Sequence, residues 1–127
     1  MATTPVSPST YGNLDACTVY YGYQTMPVAA THSLVTESTA GDRQVIILGY
    51  HIVGDNATTP LEFKFRSTST TPSSQVDLSG VMKATGVGLQ GGVQSEDGVL
   101  CSEIPGAGID IVTTAGTGAI TFSYVLV

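Results

Sequence analysis

From Leu61 to Arg66 the chain alternates without a break: Leu61, Phe63 and Phe65 fall on one side, Glu62, Lys64 and Arg66 on the other. A strand turns successive side chains to opposite faces, so this segment predicts a half-buried antiparallel strand with a charged outer face. Gln44 to Val53 is nearly continuously apolar and predicts a central strand covered on both faces. Cys17 to Tyr23 is also strand-like, with Cys17, Val19, Tyr21 and Tyr23 on one face and Tyr20 on the other. A shorter strand is expected from His32 to Ser38, closed by Thr39-Ala40-Gly41-Asp42, and one more between Gln75 and Lys83. Gly98–Ile104, Gly108–Thr113 and Ala119–Val127 complete the set, the last with Ile120, Phe122, Tyr124 and Leu126 on one face.

Turn signals separate these runs: Gly54-Asp55-Asn56, Pro105-Gly106-Ala107-Gly108 and Ala115-Gly116-Thr117-Gly118. Ser67 to Ser74, rich in Thr, Ser and Pro, reads as an exposed loop. No segment holds a 3.6-residue period over three turns, and no repeat of fixed length is present. The expectation is an all-β fold, a β-sandwich or jelly-roll of about seven or eight antiparallel strands. Residues 1–15 are different. They are polar and Pro-bearing, with little beyond Val6, Tyr11 and Leu14 to bury, and they read as an extended N-terminal arm that is disordered or held by a partner. Residues 16–127 form the domain.

Composition supports this picture and narrows the function. Of 127 residues 42% are hydrophobic but only 11% are charged, with Thr, Ser and 15 glycines filling the gap. Net charge is −6, and the fixed cations are Arg43, Lys64, Arg66 and Lys83. Four scattered cations build no basic stripe, so nucleic acid and anionic membranes are not expected as partners. The first residues lack the basic and apolar regions of a signal peptide, and the longest apolar run is too short to span a bilayer, so synthesis in a cytoplasm is expected. In that compartment Cys17 and Cys101 are expected to stay as two partly buried thiols. Asn56-Ala57-Thr58 reads as a turn rather than a glycosylation site.

Candidate chemistry is sparse. His51 has Tyr50 beside it and Asp55 four residues on, but a zinc site or a general base needs a further convergent ligand or a nucleophile. A structural, hydrogen-bonded histidine is the expectation there, and His32 offers less still. Cys17 reads as core. Glu96-Asp97 reads as a solvated turn, since neighbours on a strand point apart and the spacing of a calcium loop is missing. The glycines from Gly86 to Gly92 lack the strand–helix context of a phosphate cradle and read as a loop or bulged strand. The tyrosines are the exception. Alternation leaves at least one of Tyr20, Tyr21 and Tyr23 partly exposed, where an aromatic ring serves either an interface or ordinary packing. Neither catalytic residues nor a cofactor or metal are expected.

Val45-Ile46-Ile47-Leu48-Gly49-Tyr50-His51-Ile52-Val53, then Ala57-Thr58-Thr59 and Leu61-Glu62-Phe63-Lys64-Phe65, together with the ending Gly118-Ala119-Ile120-Thr121-Phe122-Ser123-Tyr124-Val125-Leu126-Val127, resemble small β-sandwich virion proteins of tailed bacteriophages. The resemblance covers roughly residues 41–127. It implies a non-enzymatic capsid decoration, or cement, protein on the outside of a head, commonly a trimer, with the major capsid protein as partner. In that setting the arm would act as a clamp through Thr3, Thr4, Pro5, Val6, Pro8, Tyr11 and Leu14, joined by Tyr20 and Tyr23 on the first strand. A tail-tip or fibre module that binds a host glycan or receptor is the alternative.

Overall fold

The structure, a computed structural model, describes residues 17–68, 75–84, 87–95 and 98–127. The arm therefore lies outside the described residues, with Thr3, Thr4, Pro5, Val6, Pro8, Tyr11 and Leu14, and so do Glu96 and Asp97. Among the described residues, ten strands and one helical turn follow in order: β1 (Tyr20–Met26), β2 (Thr31–Val35), α1 (Glu37–Ala40), β3 (Val45–Gly54), β4 (Leu61–Ser67), β5 (Val76–Asp77), β6 (Met82–Ala84), β7 (Gly88–Gln94), β8 (Leu100–Cys101), β9 (Ile109–Ala115) and β10 (Gly118–Leu126).

They form two five-stranded antiparallel sheets. In the first the order is β1-β10-β3-β7, with β8 also on β3; in the second it is β2-β9-β4-β5, with β6 also on β4. β7 and β8 share one side of β3, and β5 and β6 share one side of β4, so ten strands fill eight positions. The first strand pairs with the last, β2 with β9, β3 with β7 and β8, and β4 with β5 and β6. That nesting is a long hairpin rolled into two layers, the jelly-roll form of an all-β sandwich. Loop-rich patterning with short strands leads there because each sheet has one apolar face to hide, and the two faces hide each other.

The core lies between the sheets. Met26, Val45, Ile47, Ile52, Ile120 and Phe122 come from the first; Val35, Leu61, Phe63, Phe65, Ile109 and Ile111 from the second. Phe65 joins the layers, its ring centroid 4.9 Å from Tyr50 and 5.9 Å from Phe63, in tilted and edge-on contacts that aromatic quadrupoles favour. β4 follows its sequence pattern closely. Its outward residues are paired on the surface: Lys64 Nζ lies 3.0 Å and Arg66 Nε 3.3 Å from Asp77, and Lys83 Nζ lies 3.2 Å from Glu62. Asp77 is held below the usual carboxylate range by hydrogen bonds from Lys64 and Arg66. Pairs this exposed contribute little stability, but they leave this face with its charges matched.

Three segments differ from the sequence reading. β3 is central but covered on both faces only at its start. Val45 and Ile47 point to the core while Ile46 is buried under Gly98, whereas His51 and Val53 emerge into solvent on the outer face. A long apolar run hides this change because the cover comes from a distant segment. The expected strand from His32 to Ser38 stops at Val35, where Thr36 caps a single helical turn by accepting a hydrogen bond from the Thr39 backbone N–H at 3.0 Å. Cys17 precedes β1 and is half-buried rather than core. The glycine stretch is a bulged strand, β7, with its register shifting opposite Ile52 and Val53.

Candidate interaction face on the first sheet

Among the described residues β1 is the edge strand of its sheet, paired only with β10. Its even-numbered residues face the core side. Gly22 sits under the Phe122 ring, leaving no room for a Cβ there, and Met26 is fully buried. Tyr20 stacks on Tyr124 at 5.3 Å, and Tyr124 on Phe122 at 5.9 Å, a run of three rings along the inner margin of the sheet. Burial pushes the Tyr124 phenol up, with Tyr20 adding to the effect; burial likewise raises Tyr50, whose hydroxyl contacts Met82 Sδ at 3.9 Å.

The odd-numbered residues face out, and the register places them in three rows across the sheet. One row runs Tyr21, Ser123, Gly49; the next Tyr23, Thr121, His51, Gly92; the third Thr25, Ala119, Val53. Tyr21 is 81% exposed and Tyr23 64%. Bulky side chains on β1 and β3 thus flank a floor of Ser123, Thr121 and Ala119 on β10, which makes a valley along β10. His51 leans its imidazole over Gly92, where a Cβ would collide with the ring. Two hollows lie along the valley. One of about 380 Å³ is lined by Tyr21, Gly49, His51, Thr121 and Ser123; the other, of about 430 Å³, by Tyr23, Thr25, Pro27, Val53, Asp55 and Ala119.

None of these rows contains Lys, Arg, Asp or Glu. Asp55 stands at one end, accepting a hydrogen bond from the Thr117 hydroxyl. The contrast with the second sheet is sharp, since that sheet's outer face carries Glu62, Lys64, Arg66, Asp77 and Lys83. An uncharged aromatic face suits contact with another surface, because burying it leaves no ion unsolvated.

Of the residues expected to meet a partner, Tyr20 and Tyr23 are described, and the sheet parts them: Tyr23 is on the outer valley and Tyr20 on the inner aromatic run. Tyr21 is the most exposed of the three, and its signal was the alternation that pairs it with Tyr23. His51, expected to be a structural histidine in a buried strand, is exposed. Its neighbours across β10 were beyond sequence reasoning, because register between distant strands is not written in either one. His32 is a local tie, its Nε2 lying 3.0 Å from the Val28 carbonyl oxygen. Cys101 is half-buried and its thiol donates to the Ser102 carbonyl at 3.2 Å.

As chemistry, the hollow beside Tyr21 brings together an imidazole and the hydroxyls of Thr121 and Ser123, but among the described residues no carboxylate lines it. A histidine relay needs a third group to orient the imidazole. Asp55 lines the neighbouring hollow instead. Among the described residues, no three His, Cys, Asp or Glu side chains gather as a metal site would require. No helix among them is long and apolar enough to cross a membrane.

The molecule is thus an all-β jelly-roll with one charged face and one uncharged aromatic face. No protein-family model matches the chain, and no curated protein matches it. Among solved structures, the mitogen derived from Yersinia pseudotuberculosis aligns over 87% of this chain and 87% of its own, at 8% identity and a TM-score of 0.38. A likeness that loose carries no argument about function.

Proposed function

We propose that this chain is a non-enzymatic virion structural protein, a decoration or cement protein that binds the outer surface of a phage head as a homotrimer and stabilises it. The partner in this reading is the major capsid protein, and neither nucleic acid nor membrane takes part. The observation that carries it is the position of β1: among the described residues an edge strand, paired on one side with β10, and following the arm in sequence. An open edge accepts an added strand, and a chain segment entering it can be shared with a neighbouring subunit. Weak contacts of this kind, repeated over a shell and within an oligomer, give strong net retention. The resemblance over residues 41–127 and the lack of a cationic surface both agree with an exterior position.

Deleting residues 2–14 is expected to abolish incorporation into particles while leaving the far-UV circular dichroism of the domain unchanged. Arm-less protein that still decorates heads at wild-type occupancy would defeat the clamp. A second reading, a tail-tip or fibre module for a host glycan, draws on the valley itself, where exposed tyrosines flank hydroxyl groups and Asp55 closes one end. Copy number separates the two: hundreds on the head, or a few at the tail.

A further inference from the structure

We infer that the outer face of the β1-β10-β3-β7 sheet is a self-association surface, and that its occupant is a second copy of this chain. The inference names the surface through which the proposed oligomer forms. It is tested apart from head attachment.

Charge is the first argument. At net charge −6 two copies repel each other at most approaches. Lys64, Arg66 and Lys83 lie on the second sheet, bound to carboxylates of their own chain, so they are not available to draw in an anionic copy. The three rows of the first sheet hold no Lys, Arg, Asp or Glu, so contact across them strands no such side chain, and Asp55 stands only at one end. Composition points the same way. The buried centre of an interface is rich in tyrosine and poor in Lys, Glu and Asp, which describes this face.

Shape completes the case. Tyr21 and Tyr23 project from β1 at 81% and 64% exposure, and each stands beside a hollow, of about 380 and about 430 Å³. Knobs and holes on one patch let a ring of one copy enter a hollow of the next, the head-to-tail kind of contact by which copies close into a ring. A ring from one copy inserted beside Thr121 or Val53 of the next would bury its apolar body, and its hydroxyl would stay near Ser123, Thr121 or Asp55.

The test is analytical ultracentrifugation of the full chain. Wild type is expected to sediment as one defined oligomer. Tyr21→Glu with Tyr23→Glu is expected to give a monomer, association weakening on the order of 100-fold or more, with thermal unfolding kept because neither side chain is in the core. Thr121→Arg, on the exposed floor, is expected to do the same, and serves if the double variant fails to fold. Lys64→Ala, on the other sheet, is expected to keep the oligomer. A chain lacking residues 2–14 is expected to keep it too, so failure of the clamp and failure of this surface read differently. The inference is overturned by a monomeric wild type, or by an oligomer that survives both Thr121→Arg and the tyrosine pair. It is equally overturned if a soluble oligosaccharide quenches the tyrosine fluorescence of a monomeric wild type, which would give the face to a glycan.

Discussion

Asp110 on β9 is only 8% exposed, and burial raises its carboxyl pKa. The Arg66 guanidinium opposes the rise and Glu37 adds to it. A carboxyl whose folded pKa lies above its unfolded value favours folding when protonated, so its ionisation costs stability as pH rises through that window. Below the ordinary aspartate range both states are protonated and the cost is gone. Asp110→Asn is therefore expected to stabilise the domain at pH 7, by on the order of 1 kcal/mol or less. The gain should shrink as pH falls towards about 4. Thermal melts of both proteins from pH 7 to pH 4 check this, and a gap of constant size would show that ionisation is not the cause. This burial is not legible in the residue pattern, because Ile109-Asp110-Ile111 alternates like a strand with a solvated outer face. Burial comes from elsewhere in the chain: α1 begins so close to β9 that a Cβ on Gly108 would strike the backbone of Val35 and Thr36.

Strands show where local pattern suffices and where it fails. β4 was legible throughout because one face is apolar, the other is charged, and nothing interrupts the period of two. β10 was legible through Ile120 and Phe122, but the bulge opposite it, where β3 holds Leu48 as an extra residue between the partners of Ser123 and Tyr124, was not. β3 misled because an apolar residue facing water looks the same in sequence as one facing a core. Register is the element-scale fact that builds the valley, and Gly22 helps to set it on β1. With Gly22 opposite Phe122 the ring lies flat across the edge strand, and Tyr21 and Tyr23 are turned outward. Gly22→Ala puts a methyl group into that ring, so β1 or Phe122 must move. The expected cost is about 1–3 kcal/mol, as for other overpacked cores. Denaturant unfolding measures it, and amide exchange should show the loss concentrated in β1 and β10. A neutral Gly22→Ala would mean that β1 is not seated on Phe122 as described.

For the molecule as a whole, the segregation of charge has a consequence in salt. Two copies at net charge −6 repel over a distance set by the Debye length, about 30 Å at 0.01 M and about 8 Å at 0.15 M ionic strength. Among the described residues, the three rows of the first sheet contain no ion pair that salt could weaken. Adding salt therefore removes a repulsion and takes nothing away, and an apolar contact gains further when sulfate is the anion. Self-association is expected to tighten from 0.01 M to 0.15 M salt and then to level off, as read by sedimentation equilibrium. Association through the second sheet would behave in the opposite way, because Lys64, Arg66 and Lys83 would have to exchange partners across the interface and screening would loosen them. The sign of the salt effect thus identifies the sheet in contact without a mutation, and weakening with salt would place the interface on the charged face.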